Sequence, residues 1–371
     1  MQRGAETMSE EPKQLDFEDD YLGGRATPPA PEPVPASSPP AARKSPQQTP
    51  KPPAKGEAKA PEPTRAHRKL IEAAVQIGMD RPSEQDAAYM ARELVQCTLP
   101  HKNPGNVPLW KRTNGNLTLA IQPGMDVRTG ETYGYPYGTI PRLLLFWITT
   151  EAIRTRSPRL ELGSTLSEFM HDLGLSPYTG RGKRGDATRL REQMQRLFQA
   201  RISFHRHTEA QGRQGHSWLN MEVAPRGELW WDIKNPDQTA LWGSWIKLGE
   251  DFYQAITAAP VPVDLRALRA LKRSPLALDL YAWLTHEAYR AHKNGHSRFV
   301  SWPLLMEQLG AEYSDPKDFG KYARAALKKV QLVYPALQLG SLRAGIRIEP
   351  ESFPAIQPKP RQSANLPPSR A

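Results

Sequence analysis

Leu166, Phe169, Met170 and Leu173 stand at i, i+3, i+4 and i+7, and Trp302, Leu305, Met306 and Leu309 repeat that spacing. Apolar positions recurring this way share one face of a helix, so each stretch predicts a short amphipathic helix. LLLFWITTEAI at 143–153 and LDLYAWLTHEAY at 278–289 are apolar runs of helical length, matched at Trp147/Trp283, Thr149/Thr285, Glu151/Glu287 and Ala152/Ala288. Trp147 to Trp283 and Gly174 to Gly310 are both 136 positions apart. The register is unbroken, which predicts an internal structural repeat.

Local signals order the elements within each copy. Ser274 before Pro275 is a helix start, with Pro141 placed similarly in the first copy. Thr165 with Glu168 makes a capping box, and Gly174 and Gly310 stand where left-handed helix ends are expected. A third helix follows in each copy, RLREQMQRLF at 189–198 and YARAALKKV at 322–330, the first after a loop about three residues longer. RISFHRHTEAQGRQGHSWLNMEVA then predicts a hairpin, and LQLGSLRAGIRIE a similar one in the second copy. Helix, short strand, helix, helix, hairpin is the order of a winged helix-turn-helix.

Ahead of the repeat, RAHRKLIEAAVQIG and SEQDAAYMARELVQC predict two helices, and VPLWKRTNGNLTLAIQPG a hairpin turning at Asn114 and Gly115. This extension is expected to brace the first copy, the alternative being a dimerisation face. LWGSWIKLGEDFYQAI and a short helix after Pro262 are expected to link the copies rigidly, with LRALRAL as packed core. The expected fold class is α+β: two tandem winged helix-turn-helix domains in pseudo-repeat behind a disordered Pro-rich tail. The expected boundaries are a tail at 1–64, an extension at 65–138, the first domain at 139–247, a linker at 248–273, the second domain at 274–355 and a basic tail at 356–371.

Composition supports the tail: PPAPEPVPASSPPAARKSPQQTPKPPAKGEAKAPEP is too poor in large apolar residues to offset its ordering entropy. Over 371 residues the formal net charge is +11, which points to a polyanionic partner, nucleic acid first. Cys97 is the single cysteine, so internal disulfides and Cys-rich zinc sites are excluded, and a reducing cytoplasm fits. The longest apolar run, LLLFWI, is far short of a membrane span.

Charge placement then sharpens the partner. In the first copy's third helix Leu190, Met194, Leu197 and Phe198 form the inward stripe, while Thr188, Arg189, Glu192, Gln195, Arg196 and Gln199 face out. Arg and Gln suit bidentate contacts with guanine and adenine edges. In the second, Phe319, Ala323, Ala326 and Val330 face in, and Lys321, Arg324 and Lys328 face out. The first helix is expected to read bases and the second to hold phosphates. Arg181, Lys183 and Arg184 in the loop, with Arg206 and Arg213 in the hairpin, complete the expected DNA-binding set.

Catalytic patterns are sparse. Gly180, Gly182 and Gly185 fit G-x-G-x-x-G, but the loop is expected to follow a helix, whereas a dinucleotide fingerprint follows a strand. No G-x-x-x-x-G-K-[ST] occurs. His205 and His207 have H-x-H spacing with Arg206 between them, a cation that opposes a metal. The expectation is a protein without enzymatic activity, cofactor or metal.

At YGYPYGTIPRLLLFWITTEAIRTRS (133–157) and VPVDLRALRALKRSPLALDLYAWLTHEAYR (261–290) the chain resembles the plasmid replication initiator RepA proteins of Gram-negative bacteria, over about residues 66–355. The resemblance implies an initiator that binds origin repeats as a monomer, recruits the host initiator and helicase, and represses its own promoter as a homodimer. A transcriptional regulator with the same domains and a rolling-circle nicking enzyme are the alternatives. Gln14, Leu15 and Phe17 in QLDFEDD resemble, one residue short, the motif that docks on the polymerase sliding clamp.

Overall fold

The structure is a computed structural model. It describes residues 64–179, 182, 184–210, 213–231, 243–309, 313–341 and 343–357. The Pro-rich tail, the Gln14–Leu15–Phe17 motif, Gly180, Arg181, Lys183, Gly310 and nearly all of the C-terminal tail lie outside the described residues.

The described chain is a mixed α+β fold of several helices and small sheets. It opens with α1 (Arg65–Met79), capped by the Thr64 side chain. The second expected helix is not one. A single turn at Glu84–Asp86 leads into strand β1 (Ala87–Ala91), and only Arg92–Gln96 is helical, as α2. Two long-range ties select the strand. β1 pairs antiparallel with β9 (Pro260–Asp264), and the Tyr89 N–H donates to Thr150 Oγ1 at 2.9 Å. The Ala and Met of AAYMA favour a helix locally, so long-range pairing overrides the local preference.

Next comes the hairpin β2 (Trp110–Asn114) and β3 (Leu117–Gln122). Asn114 pairs with Leu117, so the turn centres on Gly115 and Asn116, one residue later than expected. Gly115 has φ 58°, the positive value that a two-residue hairpin turn requires at its first central position.

The repeated order then begins. α3 (Thr139–Thr155), β4 (Arg159–Glu161), α4 (Leu166–Asp172), α5 (Asp186–Phe198), β5 (Arg201–Ala210) and β6 (Arg213–Glu222) form the first copy. Thr165 Oγ1 accepts from the Glu168 N–H at 3.0 Å, while Glu168 accepts from the N–H of Ser164 rather than Thr165. Gly174 has φ 68°, the left-handed end expected. β2, β3, β5 and β6 make one four-stranded sheet, so the extension's hairpin is continuous with that of the first copy. One face of it is dry, with Leu119, Ile121, Ile202 and Met221 buried.

Strands β7 (Arg226–Glu228) and β8 (Trp245–Lys247) join β4 in a second small sheet that the sequence pattern does not announce. α6 (Glu250–Ala258), β9 and α7 (Leu265–Leu271) connect the copies. Val261, Val263, Ala267, Leu268 and Leu271 are buried, which makes this connection packed core. The Asp264 side chain caps α7, while its N–H donates to the buried Tyr281 hydroxyl at 2.9 Å.

The second copy runs α8 (Pro275–Asn294), β10 (Arg298–Ser301), α9 (Trp302–Leu309), α10 (Pro316–Val333) and β11 (Gly345–Ile348). Ser274 caps α8 ahead of Pro275, as expected. The expected second hairpin is reduced to one strand: β11 pairs with β10, and Leu339 reaches Ile348 by a single bridge. LQLGSLRAGIRIE carries Gly340 in its first half, which weakens a strand there. The extension also meets this copy. α1 packs on α7 and α10, and α9 packs on β2. No helix among the described residues is long and apolar enough to cross a membrane.

Candidate nucleic-acid interface

Both third helices bury the stripe that their spacing predicts. Leu190, Met194, Leu197 and Phe198 on α5, and Phe319, Ala323, Ala326 and Val330 on α10, are all buried. Their charged sides therefore point away from the core, but not every expected side chain on them is free.

On α5, Arg189 is exposed and pairs with Asp186 at 3.5 Å, while Gln195 and Gln199 are exposed and Thr188 is half-buried. Arg196 is different. Its Nη1 donates to the Tyr135 carbonyl at 3.2 Å, its Nη2 to Glu192 at 2.5 Å, and its guanidinium lies 5.2 Å from the Tyr137 ring. With 14% of its side chain exposed, Arg196 staples α5 to the segment entering α3. On α10, Lys321 and Lys328 are exposed, whereas Arg324 is half-buried with its guanidinium 5.2 Å from the Trp302 ring.

The loop before α5 is closed at its base, where the Asp186 N–H donates to Thr179 Oγ1 at 2.8 Å and the Gly185 N–H to the Gly182 carbonyl at 2.8 Å. Arg184 is exposed there, and the element ahead of the loop is α4 rather than a strand. In the hairpin Arg213 is exposed and Arg206 half-buried. His205 and His207 do alternate onto one side, stacking with His216 at 5.4 and 4.6 Å. Among the described residues no group of three or more His, Cys, Asp or Glu could hold a metal ion.

Two features escape the sequence pattern. A cleft of about 250 Å³ opens where α3, α5 and α8 meet, lined among others by Arg189, Glu192, Tyr137, His101 and Arg273. Arg273 immediately precedes the Ser274 cap, and only the approach of α8 to α5 marks it as a neighbour of Arg189. Beneath lies a buried charge cluster. Arg142 pairs with Asp279 at 2.7 Å, and His101 Nε2 lies 2.8 Å from the same carboxylate. Burial opposes the Asp279 carboxylate, but the Arg142 charge and hydrogen bonds from His101 and Arg142 outweigh it and hold this carboxyl far below its usual range. Burial, reinforced by the Arg142 charge against the pull of Asp279, lowers His101 so that it is neutral near pH 7.

A second buried acidic group lies further along α8. Glu287 on α8 contacts His286, Arg290 and Arg298, which offset its burial and bring its pKa down to about 2. Its counterpart Glu151 stays partly exposed beside Arg154. The matched sequence position thus serves packing in one copy and a surface pair in the other.

No curated protein matches the chain significantly. Among solved structures, crystal structures of domains 2 and 3 of RctB align over 67% and 69% of this chain and 94% and 95% of theirs, at 11% and 10% identity and TM-scores of 0.41 and 0.39. Residues 135–303, from the Tyr135 segment into the start of α9, match the family described as plasmid encoded RepA protein, a distant likeness carried by that stretch of the chain.

Proposed function

We propose that this chain is a plasmid replication initiator that binds repeated duplex DNA at an origin through two winged-helix domains, 139–247 and 274–355, joined by 248–273. The observation that carries the reading is the correspondence of α5 and α10. Each is the third helix in the repeated order, each buries an apolar stripe, and each turns exposed cations away from the core. The match over 135–303 supports it.

In this reading Arg189 and Gln195 meet base edges in the major groove, with Thr188 beside them, while Lys321 and Lys328 hold phosphates. Arg184, Arg206 and Arg213, together with Arg181 and Lys183, follow the DNA backbone. Arg196 and Arg324 fix the two helices and reach the DNA with their outer edges. The protein acts in the cytoplasm, carries out no bond chemistry, and brings the host initiator and helicase to the origin. Gln14, Leu15 and Phe17 offer a contact for the sliding clamp, and a homodimer represses the promoter.

The test is footprinting on DNA flanking the gene, followed by replication of the protected fragment in cells supplying the protein in trans. Protected repeats and a maintained plasmid are expected. Protection without maintenance would make the protein a regulator, and absence of protection would overturn the reading.

A further inference from the structure

The cleft between α3, α5 and α8 is walled by hydrogen-bond donors that have nothing to bond. Gln193 on α5 is only 5% exposed. Its Oε1 accepts from the Tyr137 N–H at 2.9 Å, which fixes the orientation of the amide and turns Nε2 the other way. Nε2 has no hydrogen-bond partner among the described residues and is not sealed from solvent, and the opening that Gln193 lines is this cleft. The first turn of α3 forms another part of the wall. No side chain caps that helix, Pro141 carries no N–H, and the N–H groups of Thr139 and Ile140 have no acceptor among the described residues. Arg189 and Arg273 complete the wall, and both are exposed. Arg273 makes no ion pair or hydrogen bond among the described residues.

Unused donors at an uncapped helix start select an anion. The nearby carboxylates are already matched. Glu192 in the wall is bonded to Arg196, Asp186 pairs with Arg189, and Asp279 beneath His101 is held by Arg142. Arg273 and the positive end of α3 are left uncompensated. Donors converging from three helices suit an anion whose acceptor oxygens point several ways, as those of a phosphate do, better than a planar carboxylate. The source of the phosphate follows from position. Arg189 and Glu192 belong both to this wall and to the outward side of α5, so the cleft adjoins the side offered to DNA.

We propose that the cleft between α3, α5 and α8 binds a phosphate group of the DNA backbone, held by Arg273, Gln193 Nε2 and the free N–H groups of Thr139 and Ile140. This rests on the origin-binding reading and deepens it: a single phosphate would touch both copies where they meet, with Arg189 at the groove edge beside it.

The test uses the full chain and fluorescence anisotropy over a series of salt concentrations, with a labelled duplex from the DNA flanking the gene and with a random duplex. Arg273→Ala removes an exposed, unbonded side chain, and should lower the slope of log K against log salt by about 0.9 and weaken both duplexes by the same factor. Gln193→Glu keeps the acceptor for Tyr137 but sets a carboxylate oxygen where the amide N–H pointed, and should weaken both duplexes further. Ethylating the backbone phosphates singly should reveal one whose modification blocks the wild-type protein and leaves Arg273→Ala indifferent. Unchanged slopes in both variants would overturn the proposal, and so would the wild-type ethylation pattern in Arg273→Ala. If the protein binds neither duplex, yet broadens the phosphorus NMR line of inorganic phosphate and loses this in Gln193→Glu, the phosphate site stands while its DNA source and the origin reading fall together.

Discussion

Arg142 on α3 and Asp279 on α8 form a two-point ion pair, Nε to Oδ1 at 2.7 Å and Nη2 to Oδ2 at 2.8 Å, that ties the first helix of one copy to the first helix of the other. The remaining donors of the guanidinium go to the carbonyls of Leu99, Pro100 and Gly138. Every N–H of Arg142 is thereby used, which a group only 2% exposed requires. Arg142→Met or Asp279→Asn alone leaves the partner buried and unpaired, and should cost roughly 3–5 kcal/mol in denaturant unfolding. The double variant Arg142→Met with Asp279→Leu should recover much of that loss. Single variants of wild-type stability would show that the pair holds nothing.

His101 makes stability depend on pH. Its folded pKa is lowered, so the unfolded chain binds the proton more readily, and stability must rise with pH through this window. The contribution is fully present above the unfolded value of about 6.5 and is lost as pH falls toward the folded value. The urea midpoint should therefore drop between about pH 7.5 and 5. In His101→Gln, which keeps a donor toward Asp279, that part of the slope should vanish. The Asp279 carboxyl, also lowered, adds its own loss only below about pH 4.

The repeat and its helix stripes were legible because periodicity records burial directly: Leu166, Phe169, Met170 and Leu173 are all buried as the spacing requires. What escaped depends on partners distant in sequence. β1 is a strand because Pro260–Asp264 lies beside it, and no window around Ala87 contains that information. Arg196 read as an outward cation because its angle on α5 is correct. The Tyr135–Tyr137 segment that folds over it lies some sixty residues earlier. The Arg142–Asp279 pair was invisible for the same reason, Arg142 standing just before one apolar run and Asp279 inside the matching one, 137 positions away.

Gln308 on α9 and Asn114 at the tip of β2 test whether the extension braces the second copy. Gln308 Nε2 donates to Asn114 Oδ1 at 2.7 Å, and Asn114 Nδ2 donates to the Gln96 carbonyl at 3.0 Å. Asn114→Ala leaves the Gln308 amide without its acceptor and the Gln96 carbonyl without its donor, and should cost about 1–3 kcal/mol. Hydrogen exchange should show the loss as faster opening of both α9 and the β2–β3 hairpin. Faster exchange in the hairpin alone would mean that the contact does not couple them.

The division of labour between α5 and α10 is testable through salt. Removing a phosphate contact lowers the slope of log K against log salt by about 0.9 per contact and weakens specific and random DNA alike. Lys321→Ala with Lys328→Ala should therefore reduce the slope by roughly 2 while leaving the specificity ratio intact. Lys183→Ala with Arg184→Ala should give the same signature from the loop ahead of α5. Arg189→Ala with Gln195→Ala should instead cost about 1–3 kcal/mol per lost base contact on the specific site and little on random DNA. Arg196→Ala needs a folding control, because losing its bonds to Tyr135 and Glu192 should loosen α5 itself. If the lysine pair on α10 lowers specificity and the Arg189–Gln195 pair does not, the assignment of the two helices is reversed.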